Sequence, residues 1–260
     1  MIPNPLRKKL QDRQTTYGLL VTIESPNVTE LADTLGFDWV VVDMEHVHFN
    51  YREVMEHVRT VRGCETPVLG PVPEVQQSPI NRALDIGAHG VLLLLVRNRA
   101  DLKRGFCFGR YPTRGERGVG GERAVKWGLG FDEYLGYADE VLMITPSTET
   151  REAAESIDDI LGVPSLEAIF FGPAHLSATY GVLGQWEGSG LAEKILEIRG
   201  KAAAKGIASD AMSRSVETSL LRRDQGFNMN ALSPVLDLMI RAIRGNLEKL
   251  DQLVTPKVWF

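Results

Sequence analysis

Short runs that are apolar throughout alternate along the chain with longer stretches in which apolar residues recur every three or four positions. Runs such as WVVVD and GVLLLLV have no polar face, which fits parallel strands covered on both sides. Strands are expected over residues 17–23, 39–43, 67–69, 90–95, 141–145, 168–171, 207–210 and 229–232. Helical spacing is read at 28–35, 51–61, 80–86, 131–138, 150–161, 191–205 and 215–225, with 233–253 closing the chain. This alternation predicts right-handed βαβ crossovers and an α/β fold, a closed (β/α)8 TIM barrel. An open doubly wound sheet would usually show a glycine fingerprint after its first strand. Here that strand runs into Thr22-Ile23-Glu24-Ser25-Pro26. The longest stretch without periodicity, RYPTRGERGVGGERAVKWGLG at 110–130, follows the fourth strand. It is expected on the face where barrel active sites lie.

Composition narrows the class of protein. The 260 residues suit one barrel over residues 1–260, with no internal repeat or linker. Apolar residues at 43% and charged residues at 24% are ordinary for a globular chain. A net charge of -5 argues against nucleic acid as a partner. Cys64 and Cys107 lack metal-type spacing and are expected to be unpaired thiols. The first residues lack the apolar centre of a signal peptide, and no window reaches the roughly 20 apolar residues of a membrane span. A cytoplasmic protein with no membrane partner is expected.

Several strand ends carry ionisable groups. In Asp43-Met44-Glu45-His46 an apolar strand ends in two acids and an imidazole. Either Asp43 orients His46 for proton transfer, or Asp43 caps the next turn and His46 is solvated, as His48 nearby would be. Glu149 is either a metal ligand at the barrel mouth or an acid favoured at a helix start. In Phe171-Gly172-Pro173-Ala174-His175 the Gly-Pro exit opens backbone N–H groups to an anion, and His175 is a metal ligand, a proton carrier or a cap. Arg110, Arg114, Arg117, Arg123 and Lys126, with Trp127, make the 110–130 loop basic. That suits an anionic substrate over a metal site, or a solvated loop.

Taken together, GFDWVVVDMEH (36–46), ALDIGAHGVLLLLV (83–96), RYP with RGVG (110–120), TETREA (148–153) and FGPAHLS (171–177) resemble the HpcH/HpaI aldolase family, metal-dependent class II pyruvate aldolases. The similarity runs from about residue 6 to 250. It implies a barrel of the phosphoenolpyruvate/pyruvate-aldolase type and a homo-oligomer, trimeric or hexameric, with the C-terminal helix on a neighbouring subunit. It implies a metal held by Glu149 and position 175, and a proton moved by His46 with Asp43 as its orienting acid. Gly172, Pro173, Ala174, Ser147, Arg117 and Trp127 fall at substrate-binding positions. Asp85 would serve a neighbouring subunit's site.

Three positions depart from the family pattern. Its arginine after the third strand falls on Gly70, its metal-binding aspartate on His175, and a glutamine before the ligand glutamate on Ser147. Losing one donor to a developing oxyanion typically costs on the order of 100- to 1000-fold in rate. An imidazole at 175 shifts metal preference from Mg²⁺ toward Co²⁺, Ni²⁺, Zn²⁺, Fe²⁺ or Mn²⁺. The expectation is therefore a carbon–carbon lyase acting on a small anionic 2-oxo acid with a divalent metal and no organic cofactor. The alternatives are the same scaffold turned to decarboxylation, elimination or cyclisation, and a non-catalytic binding homologue.

Overall fold

The computed structural model describes residues 4–188 and 190–250. Eight parallel strands close into a barrel in sequence order, each hydrogen-bonded to the next and the last to the first. They are β1 (Thr16–Val21), β2 (Trp39–Val42), β3 (Val68–Val72), β4 (Gly90–Leu93), β5 (Met143–Thr148), β6 (Ala168–Phe171), β7 (Ala208–Ser213) and β8 (Met229–Pro234). The helices are α1 (Pro5–Gln11), α2 (Pro26–Thr34), α3 (Tyr51–Thr60), α4 (Gln77–Asp85), α5 (Arg99–Gly109) and α6 (Phe131–Val141). They continue with α7 (Arg151–Glu155), α8 (Ile157–Ile160), α9 (Pro173–Thr179), α10 (Leu191–Ala204), α11 (Val216–Asp224) and α12 (Val235–Lys249). All eight expected strands are present. The expected final helix beyond residue 250 lies outside the described residues.

Alternation along each strand sorts side chains into two cores. Inside the barrel lie Trp39, Val41, Leu69, Leu92, Met143, Ala168, Phe170, Ala208, Met229 and Ala231. Outside, Val72, Val91, Leu93, Ile144, Ile169 and Ala211 meet the helices. Size complementarity fills the interior: the Trp39 indole occupies the space over Gly18, its register partner, and donates Nε1–H to Thr16 Oγ1 at 3.1 Å. Phe170 meets the indole edge-on at 5.6 Å between ring centroids. The interior is packed, so chemistry is confined to the mouth. No helix among the described residues is long and apolar enough to cross a membrane.

Candidate active site

The mouth is built on β5. Met143, Thr145, Ser147 and Glu149 follow the inward alternation, so Glu149 stands just past the strand end with Ser147 beneath it. Both are buried. Glu149 Oε1 accepts the Leu95 N–H at 2.5 Å, and Ser147 Oγ donates to Oε2 at 3.3 Å. Leu95 makes that bond from the left-handed region, with φ at 55°, a conformation costly for a residue with a β-carbon. Thr150, not Glu149, caps α7 by accepting from Ala153 N. The glutamate is thereby free to face the mouth.

Beside Glu149, the neighbouring strand β6 ends at Phe171 and leaves through Gly172-Pro173. Its exit is fixed by Asp210 on β7, which is fully buried and accepts the Phe171 N–H at 2.5 Å. Burial pushes the Asp210 carboxyl well above its ordinary range, only partly offset by that N–H bond. Sequence reasoning missed Asp210, although an acid inside the alternating strand ASDAMS was its signal. Gly172 is required by contact: a β-carbon there would lie 2.7 Å from both Cβ and Oε2 of Glu149. The turn of α9 then presents His175, whose Nδ1 lies 3.4 Å from Glu149 Oε2.

The third contributor is the end of β2. Asp43 Oδ1 accepts the backbone N–H groups of Glu45 at 2.8 Å and His46 at 3.1 Å. That turn swings Glu45 toward His175, with Oε1 3.9 Å from Nδ1, and sets Glu45 Oε2 3.5 Å from His46 Nε2. The His46 and His175 rings meet edge to face at 5.2 Å. Burial pushes the Glu45 carboxyl up from its ordinary value. His46 and His175 draw it down, while Glu149 and Asp43 add to the rise. Glu45, His46 and His175 each offer one donor atom within 4.8 Å of the others. Two carboxylates and two imidazoles converging at a strand-end cleft suit a divalent transition metal.

The family model described as HpcH/HpaI aldolase/citrate lyase matches residues 16–242. The chain belongs to this family. A 2-keto-3-deoxy-L-rhamnonate aldolase of Salmonella typhi is 33% identical over 184 residues, covering 70% of this chain and 68% of the relative. The HpcH/HpaI aldolase of Desulfitobacterium hafniense DCB-2 is 25% identical, covering 96% of this chain and 99% of that one, with a TM-score of 0.88. A structure described as citrate synthase SbnG is also 25% identical, covering 95% and 97%, with a TM-score of 0.84.

Against the family pattern, the structure corrects several expectations. Asp43 holds the backbone of the turn, and the acid beside the His46 imidazole is Glu45; a strand-end carboxylate with two N–H groups in reach satisfies them first. Gly70 faces the helices, where an added β-carbon would meet Ala83 and Ala88 at 3.7 and 3.8 Å. The inward position after Leu69 is therefore Pro71, so β3 brings no cation to the mouth by either alignment. His48 is exposed beside Glu24, at 3.3 Å.

The 110–130 loop runs along the outside of α4, from Gln77 to Ile86, rather than directly over the end of β4. The helix α5 intervenes between β4 and the loop and carries the chain back to the N-terminal ends of the strands. The loop then follows α4: Gln77 Nε2 donates to Glu116 O at 2.5 Å, and Arg123 donates to Ile86 O at 3.0 Å. Arg117 is enclosed, its side chain 0% exposed. It donates to Asp85 Oδ1 at 2.7 Å and to Tyr134 Oη at 3.1 Å, and its guanidinium lies over Tyr111 at 4.6 Å and Tyr134 at 5.4 Å. Arg117 therefore binds no substrate in this mouth. Trp127 is exposed, and Asp85 is the last residue of α4.

Proposed function

We propose that this aldolase-family chain is a cytoplasmic carbon–carbon lyase that cleaves a small anionic 4-hydroxy-2-oxo acid with the help of a divalent transition metal. The observation that carries this reading is Glu149: a buried carboxylate clamped by Leu95 and Ser147, with its second oxygen turned to His175. Glu149 and His175 would hold the ion. Bound there, the ion would polarise the keto oxygen of the substrate and offset the charge that grows on it.

The protein supplies the rest. The first-turn N–H groups of α9, at Ala174 and His175, would receive the substrate carboxylate. His46, on the exposed side of the cluster, takes the proton of the substrate's 4-hydroxyl as the C3–C4 bond breaks. The electron pair of that bond passes to the keto-acid fragment, and the proton returns at C3 to give the free 2-oxo acid and an aldehyde. Glu45 Oε2 beside His46 Nε2 stabilises the imidazolium formed in between. The exposed Leu236, Met239, Ile240 and Ile243 along α12 support a homo-oligomer assembled through that helix. Pyruvate release from a panel of 4-hydroxy-2-oxo acids tests the reading. Turnover is expected in His46-containing enzyme and to fall at least about 100-fold in His46→Ala. Equal rates in both would refute it.

The absence of a β3 cation at the mouth favours a second reading, in which the scaffold runs a different reaction on a 2-oxo acid. The likeness to a protein described as a citrate synthase supports it. Oxaloacetate decarboxylation without aldol cleavage would distinguish the two.

A further inference from the structure

Glu149 and His175 leave a divalent ion short of one negative charge and of donors, yet a second carboxylate stands beside them. Glu45 Oε1 lies 3.9 Å from His175 Nδ1, which is itself 3.4 Å from Glu149 Oε2. Donors about 2.1 Å from a tetrahedral ion sit roughly 3.4 Å from one another, so these separations are close to those of atoms sharing one ion. The Glu45 side chain is only 25% exposed, and its direction is set by the Asp43 turn rather than by a long flexible loop. Its other oxygen, Oε2, lies 3.5 Å from His46 Nε2.

We propose that Glu45 is a metal ligand, donating Oε1 beside Glu149 and His175 while its Oε2 holds the His46 imidazole. The inference rests on Glu149 and His175 being the metal pair. Two carboxylates balance the charge of a divalent ion, and a mixed oxygen and imidazole set selects the Zn²⁺ and Co²⁺ class. One carboxylate thereby ties the ion to the proton-carrying imidazole. Position 175 can carry an imidazole because the second negative charge comes from Glu45.

The test is Co²⁺ binding to the metal-free full-length protein, read by calorimetry and by the visible absorption of the bound ion. The parent is expected to bind one Co²⁺ with the intense band of a four-coordinate site. Glu45→Gln is expected to weaken binding at least about 30-fold and shift the band. Glu45→Asp, which keeps the charge but withdraws the donor, should shift it too. In a His175→Asp background, which places the second carboxylate at 175, Glu45→Gln should cost less than about 3-fold. Parent-like affinity and spectrum in Glu45→Gln, or the same loss in both backgrounds, would overturn the proposal. A parent that binds Co²⁺ through Glu45 but cleaves no oxo acid removes the lyase reading alone. An active enzyme whose Glu45→Gln form keeps full affinity removes this inference alone, and a parent that binds no ion removes both.

Discussion

Replacing Asp85 by asparagine removes the one carboxylate that, among the described residues, pairs with the Arg117 guanidinium, whose side chain has no exposed surface. The magnitude follows from what remains around Arg117. A buried ion left without its partner typically costs about 3–5 kcal/mol. Asparagine keeps an acceptor for Nη2, and the faces of Tyr111 and Tyr134, 4.6 and 5.4 Å from the guanidinium, still attract it. The Asp85 side chain is itself 21% exposed, so water can approach the gap. These three effects place the loss at or just below the lower limit of that range, about 2–3 kcal/mol. Urea unfolding followed by tryptophan fluorescence should show the midpoint falling by about 1 M with an unchanged slope. Converting Arg117 to Met in the same chain should recover much of the loss, because the stranded charge is then gone. A change below about 0.5 kcal/mol in Asp85→Asn would refute the view that this pair anchors the loop to α4.

Gly172→Ala should drive a β-carbon into Glu149, which Leu95 and Ser147 prevent from yielding. A fall of about 100-fold in kcat is expected from a displacement near 1 Å, read by pyruvate release. Gly18→Ala places a β-carbon within 2.2–2.3 Å of the Trp39 ring, and a loss of about 3 kcal/mol or more in urea unfolding is expected. Asp210, whose folded-state carboxyl is raised by burial, favours the native state only while protonated. Its contribution declines as pH rises above the unfolded value of about 3.8 toward the raised folded value. Asp210→Asn keeps the acceptor for Phe171 N–H, so it should be more stable than the parent at pH 8 and show a flatter profile from pH 4 to 8.

The barrel was legible because strands buried on both faces cannot carry a polar alternation, and WVVV and GVLL show none. The helix α5 was not. Its segment RADLKRGFCFG contains two glycines that read as breakers, yet they are dictated by packing. A β-carbon at Gly105 would meet Leu93 Cδ1 at 2.2 Å, and one at Gly109 would meet Ile144 Cδ1 at 2.5 Å. Missing that helix placed the basic loop directly after β4, whereas it runs along α4. Within the site, Glu149, His175 and His46 could be read from their places after apolar strands. The place of Glu45 could be read in the same way but its direction could not, since that comes from the turn that Asp43 makes with the backbone. The Leu95 clamp is equally invisible in sequence: it is a backbone N–H presented by a residue with positive φ, and no side-chain pattern encodes it.

We propose that the mouth around Glu149, His175, Glu45 and His46 cleaves an oxo acid with a transition metal. Pyruvate release should be measured on metal-stripped enzyme to which single ions are returned. No turnover is expected after chelation, with restoration by Co²⁺, Ni²⁺ or Zn²⁺ and at least about 10-fold less with Mg²⁺. Turnover that survives chelation, or that Mg²⁺ restores as well as Co²⁺, would contradict this reading.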